Sequence, residues 1–419
     1  MNISAAKIFI TKVYRVAYPK ISSIIDFLLM TMNFPYRPLR KAVGGGKPKI
    51  VFTGDGIMPR ISRMAKWIKR DGHYSTVLIS SKLSFVEKFS NDAWDGVFLF
   101  RNQYHLKRIL KQIGGVYLYH GFAPKSFYPD QVRQFVKEPF LIDMQDVFTC
   151  YYGLNPGIRW LVKELPIEKE CLLHSSGIVA HSLEPNVAIR KFAGEKKPPA
   201  IFFPLYCDND QFLENKKQLD PDDIHLVYAG GVAGSHRDKS HYGSIQFHEL
   251  IRNLNEQRIH FHIYPSPSNI RADYEEYVQI AETTPYFHFH AAVPQESIAG
   301  ELNKYHFGVL PFFSAHSEQS KEKYKYATSL KLFNYIEAGL PVLVSKDLTY
   351  QSWIISRYGA GIVVGKSDMT RMKQVITAQD YSALVAGLLR RREEISLRVH
   401  IPRLLTFYRQ VAGRRDSIS

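Results

Sequence analysis

From Lys49 onward, short apolar runs alternate with longer amphipathic stretches. KIVFT (49–53) is a β-branched run closed by the turn Gly54-Asp55-Gly56. ISRMAKWIKR (61–70) repeats its apolar residues at helical spacing, and TVLIS (76–80) forms a second strand. GVFLF, GVYLY, FLIDM, GIVAH and AIFFP extend the series to Pro204, with amphipathic stretches between several of them. Residues 209–223 are polar, acidic and proline-containing, and are expected to link two domains. The grammar then restarts with IHLVYAG, a glycine-rich turn, a helix near 247–255, and the strands IHFHIYP, YFHFHAAV, HFGVLPF, PVLVS and GIVVG. Alternation of this kind predicts parallel sheets with helices on both faces. The expected fold class is therefore α/β, with two Rossmann-like doubly wound domains facing across a cleft. The expected boundaries are 1–46 for a basic apolar leader, 47–210 and 211–395 for the two domains, and 396–419 for a C-terminal helix and tail.

Charge adds a constraint on partners. Among 419 residues, 55 Lys and Arg stand against 39 Asp and Glu, a net charge of +16. That excess predicts attraction to an anionic membrane surface or to phosphate-bearing substrates. Nucleic acid is set aside, because no RNA-binding aromatic signature accompanies the charge. The three cysteines, Cys150, Cys171 and Cys207, are odd in number and far apart, which excludes a disulfide framework and favours a reducing, cytoplasmic setting. No apolar run reaches the roughly 18–20 residues needed to span a bilayer. The leader, residues 1–41, has two expected placements: in a membrane interface, or as a helix packed on the body.

Several motifs carry candidate chemistry. Gly54-x-Gly56 lacks the third glycine of a dinucleotide fingerprint, since Pro59 stands there, so the turn is assigned to ligand approach at the cleft. The loop Gly230-Gly231-Val232-Ala233-Gly234-Ser235-His236-Arg237-Asp238-Lys239 follows a strand and offers glycines, free amides and cations to a diphosphate. Asp208-Asn209-Asp210 spells D-x-D but sits at the domain junction, where a capping or linker role is expected. His260 and His262, like His288 and His290, alternate along strands; no carboxylate or cysteine accompanies either pair in sequence, so no metal site is expected. The most specific segment runs from Thr328 to Ser345: a helix start capped by Thr328 or Ser329, a stop at Gly339, then a buried strand.

In that segment Lys331 to Val342 resembles the K-L-F-E-Y-x-A-x-G-x-P-V-V pattern of GT-B glycosyltransferases of the broad family 4 group. Weaker similarities occur in the right order, at Lys69–Val77, Leu141–Asp146, Ile201–Asp208 and His290–Val293. The resemblance implies the GT-B fold and a nucleotide-sugar donor, UDP- or GDP-linked, bound by the C-terminal domain. It places the diphosphate against Gly230, Gly231, Gly234, Ser235, Arg237, Lys239, Ser329, Leu330 and Lys331, with Asn334 near the ribose. The acceptor, a glycan or lipid-linked intermediate of polysaccharide or lipopolysaccharide synthesis, would meet Gly54, Gly56 and Asp146. His120 would stand beside the transferring sugar. His120, Lys331 and Arg237 are the residues expected to act in catalysis, in a retaining reaction without metal or cofactor, at the inner face of the cytoplasmic membrane. Asn334 and Tyr326 occupy the places of two family glutamates, so an inactive GT-B partner subunit is the alternative.

Overall fold

The computed structural model describes residues 22–28, 30, 46–56, 58–81, 91–123, 126–192, 197–312 and 318–413. Most of the leader lies outside them. All thirteen expected strands form, in two sheets. The first comprises β1 (Lys49–Gly54), β2 (Ser75–Ser80), β3 (Gly96–Leu99), β4 (Val116–Ala123), β5 (Phe140–Met144), β6 (Gly177–Ala180) and β7 (Ala200–Phe202). Its order is β3-β2-β1-β4-β5-β6-β7, and every pairing is parallel. The second comprises β8 (His225–Gly230), β9 (His260–Pro265), β10 (Phe287–Phe289), β11 (Phe307–Leu310), β12 (Val342–Ser345) and β13 (Gly361–Val364), in the order β10-β9-β8-β11-β12-β13. Both faces of the first sheet are buried: Ile50 and Phe52 enter one core cluster while Val51 enters another. That is why its strands are apolar at consecutive positions rather than at alternate ones.

In each sheet the strand order reverses beside the first strand, between β1 and β4 and between β8 and β11. A crevice opens beyond the carboxyl ends of the strands at such a switch point. Gly54 ends β1 and Gly230 ends β8, so both glycine turns stand at switch points. Gly54 is required by close approach: an added Cβ would fall 1.9 Å from the Phe122 carbonyl oxygen on β4.

The chain passes between the domains twice. Residues 203–224 join β7 to β8, and a second passage precedes the helix Leu397–Gly413. The passages are bonded to each other, Cys207 N–H donating to Ile395 O at 2.8 Å and Leu397 N–H to Cys207 O at 2.9 Å. The final helix packs on the first domain, where Phe407 and Val411 fill the space that Gly177 on β6 leaves open.

The helix Pro59–Asp71 fastens the halves together. Pro at its first turn suits the helix start, and Gly72, at φ 87°, ends it. Its buried face carries Arg60, Arg63 and Lys66 at every third residue. Arg60 pairs with Asp143 at 2.9 Å and donates to the Phe203 and Pro204 carbonyls. Arg63 reaches the second domain, and Lys66 pairs with Asp208 and Asp210. Residues 22–28 form a helix whose buried Asp26 accepts from Arg101 and Asn102, leaving Ile24, Ile25 and Leu28 exposed. Among the described residues no helix is long and apolar enough to cross a membrane.

Candidate active site

The site begins where β8 and β11 separate. They pair only at Phe307↔Leu226 and Gly308↔Val227. Beyond that point the Tyr335 hydroxyl takes the place of the ladder, accepting from Ala229 N at 3.1 Å and donating to Val309 O at 3.2 Å. Tyr335 lies on the helix Leu330–Glu337, and its ring occupies the space over Gly308, where a Cβ would come within 2.2 Å of it. A wedge of this kind holds the carboxyl ends of the strands apart.

A cavity of about 240 Å³ fills the resulting crevice. Of the expected donor-side residues, the structure gathers Gly230, Gly231, Ser329, Leu330, Lys331 and Asn334 around it. Ser329 caps the helix, accepting from Lys331 N, so the start of the helix faces the cavity. Lys331 is the cation there. Its Nζ lies over the rings of Tyr228, 5.6 Å from the centroid, and Phe312, 5.5 Å away. Among the described residues no carboxylate pairs with it, and burial lowers its pKa to about 8. Gly230 is glycine for this reason: a Cβ would stand 1.9 Å from Lys331 Cε.

Sequence reading missed several residues at this site. Asn334 Oδ1 accepts from Gln295 Nε2 at 3.2 Å and from Arg63 Nη2 at 3.3 Å. Arg63 also forks onto Glu337, at 2.8 and 3.0 Å, and Glu337 accepts from Asp208 N at 2.7 Å. Thus the first domain reaches the cavity wall through one guanidinium. Glu337 stands at an alanine position of the family pattern, and the three-residue spacing of Arg60, Arg63 and Lys66 was the available signal. Tyr264, near the carboxyl end of β9, and Ser266, just beyond it, also line the cavity.

Other expected residues lie elsewhere. Ser235 bonds Glu276 through its N–H and its hydroxyl, and Arg237 forks onto Asp273 at 2.6 and 3.0 Å. Both carboxylates belong to the helix Arg271–Thr283, so Arg237 is a neutralised tie rather than a free cation at the cavity. Gly234 packs under His236 on the same stretch, and Lys239 is exposed at the start of a four-residue helix. The structure places His120 in the interior of the first domain: it is 0% exposed, its Nδ1 bonds the Tyr408 hydroxyl at 2.6 Å, and its ring packs on Phe52. Desolvation lowers its pKa although Asp143 lies 3.4 Å from Nε2. Gly56, at φ 91°, keeps the β1 turn tight, and Asp146 beyond β5 accepts from Tyr151. Asp208 caps the turn Asn209–Gln211 and is held by Lys66 and Trp67, as expected for a junction. The expectation that no carboxylate joins the strand histidines is corrected: Asp223 meets His225 and His260, because parallel pairing places residues 225 and 260 side by side.

Comparison with known structures identifies the architecture. A sucrose-phosphate synthase from Thermosynechococcus elongatus superposes with a TM-score of 0.62 at 12% identity, covering 88% of this chain and 100% of that one. HepE of Anabaena, solved with UDP, gives 0.60 at 11% identity over 88% and 100% of the two chains. A glycosyltransferase from Rickettsia africae gives 0.57 at 12% identity over 88% and 99%. The fold is therefore GT-B, the two-domain plan of these glycosyltransferases. More particularly, residues 241–406 match the family model of the glucosyltransferase 3-like C-terminal domain. No curated protein matches the sequence significantly.

Proposed function

We propose that the protein is a glycosyltransferase that takes a sugar from a nucleoside-diphosphate sugar bound in the second domain. The observation that carries this reading is Lys331: a half-buried ammonium without a carboxylate partner among the described residues, set between a glycine strand end and a capped helix start. A diphosphate supplies the charge this arrangement lacks. The family match over residues 241–406 and the UDP held by HepE support the reading and favour a UDP-linked donor over a GDP-linked one.

The protein's own groups then act by orientation and neutralisation. As the bond between the anomeric carbon and the diphosphate oxygen breaks, Lys331 and the amides at the helix start receive the growing charge. The acceptor hydroxyl bonds to the same face of the sugar, and its proton passes to the departing phosphate oxygen. This course retains configuration and uses no metal. Asn334 Nδ2, unbonded among the described residues, offers a donor to the nucleotide in place of the family's carboxylate contact. The acceptor, a glycan or lipid-linked species of polysaccharide synthesis, approaches past the Gly54–Gly56 turn. A membrane surface would be met by the +16 charge and by Ile24, Ile25 and Leu28.

A second reading, a catalytically silent GT-B partner subunit, is favoured by one observation: His120, expected beside the transferring sugar, is wholly buried. The test is thermal stabilisation by UDP, GDP, ADP and CMP and their sugar conjugates, with slow donor hydrolysis measured alongside. Stabilisation by one nucleotide with sugar release, both lost in Lys331→Ala, is expected. Stabilisation without release would establish the silent subunit, and no response to any of them would refute donor binding.

A further inference from the structure

Six of the chain's sixteen histidines, His225, His260, His262, His288, His290 and His306, gather at one face of the second sheet. Parallel register stacks them. His225 faces His260 across β8 and β9, and His262 faces His288 across β9 and β10. The rings lie nearly parallel, His225 and His260 at 4.4 Å and 7°, His262 and His288 at 4.4 Å and 15°.

Hydrogen bonds run through the stack in one sense. His225 Nδ1 meets His262 Nε2 at 2.9 Å, His262 Nδ1 meets His290 Nε2 at 3.0 Å, and His260 Nδ1 meets His288 Nε2 at 2.8 Å. If each Nδ1 carries the proton, every one of these contacts is a proper bond, and the Nε2 atoms of His225 and His260 are left as lone pairs. Both point at the same oxygen of Asp223, at 2.9 and 3.7 Å. Two imidazole nitrogens and a carboxylate oxygen within 4.8 Å of one another form a ligand set for a cation. We infer that Asp223, His225 and His260 form a binding site for a divalent transition metal of the zinc class.

The distances suit such an ion. Bonds of about 2.0–2.2 Å at tetrahedral angles separate neighbouring ligand atoms by about 3.3–3.5 Å, a range that the two Asp223 spacings bracket, and the stacked His225 and His260 rings, 4.4 Å apart, would tilt toward the ion on binding. Imidazole with carboxylate is the donor set that zinc accepts, and the second contact made by each ligand histidine is the kind that fixes ring orientation at metal centres. Asp223 is exposed while both imidazoles are partly covered, which gives the ion an entry path and leaves a coordination position open to water or an anion. The site stands at the amino ends of β8 and β9, whereas the cavity holding Lys331 stands at their carboxyl ends. Metal and nucleotide therefore occupy separate places.

The test uses the full chain with any affinity tag removed and stripped of metal by a chelator. Zinc alone is titrated against a competing chromophoric chelator, and cobalt replaces it to reveal coordination geometry in the visible spectrum. One equivalent is expected per chain, with a four-coordinate cobalt spectrum. His260→Gln is expected to weaken binding by about 100-fold or more and Asp223→Asn by about 10-fold or more, with circular dichroism unchanged. His174→Ala, at an exposed residue of the first domain, serves as the control and retains full affinity. Asp223→Asn changes an exposed residue, so folding does not confound it. Absence of saturable binding, or wild-type affinity in both site variants, would overturn the inference.

Discussion

Substituting Gly230 by alanine isolates what the Lys331 ammonium contributes. The added Cβ would lie 1.9 Å from Cε, 2.9 Å from Nζ and 3.0 Å from Cδ of Lys331. Relief to an ordinary contact of about 3.5 Å requires the end of the lysine to move by about 1.6 Å. A charge-assisted bond of about 2.8 Å to a phosphate would stretch to about 4.4 Å and be lost. Hydrogen bonds to charged groups contribute about 1.5–3 kcal/mol, so nucleoside-diphosphate affinity should fall by about 10- to 150-fold. Gly230 lies outside the positive-φ region and the displaced atoms end a flexible side chain, so the melting temperature should change little. Calorimetric titration of UDP into wild type, Gly230→Ala, Lys331→Ala and the double variant checks the reasoning as a cycle. Because both substitutions remove one interaction, the double variant should bind no more weakly than Lys331→Ala. Near-wild-type affinity in Gly230→Ala, or additive losses, would refute it.

Two more outcomes follow from the same region. Burial lowers the free-protein pKa of Lys331 to about 8, and a bound diphosphate favours the protonated form, so affinity should hold below pH 8. Above that it should weaken by about tenfold per pH unit, and the slope should vanish in Lys331→Ala. Arg63→Ala leaves Glu337 buried without its cation and is expected to cost about 3–5 kcal/mol in denaturant unfolding. A paired Arg63→Met, Glu337→Met variant should recover most of that loss if desolvation is the cause.

How far the sequence carried this picture depends on the kind of signal. Strands such as KIVFT and PVLVS declare themselves by β-branched runs between glycines, and the helix at Leu330 by its cap and its Gly339 stop. These are local signals, and Gly339 at φ 74° shows the expected left-handed turn. Partners across the fold are not local. Nothing near Arg237 announces that Asp273, a helix away, neutralises it, and nothing near Asp223 announces His260. The burial of His120 depends on Tyr408, 288 residues later in the chain. Register in a parallel sheet, and the return of a distant helix, set those contacts, and neither leaves a periodicity to read.

The return of that last helix also bears on how the protein is made. A ribosome delivers the first domain long before residues 397–413 emerge, and the first domain alone lacks the side chains that cover Gly177 and bond His120. Until residues 397–413 emerge, that domain exposes an apolar seat on the nascent chain, a surface that chaperones recognise and neighbouring chains can stick to. Truncation just before the helix should therefore damage the domain farthest from it in sequence.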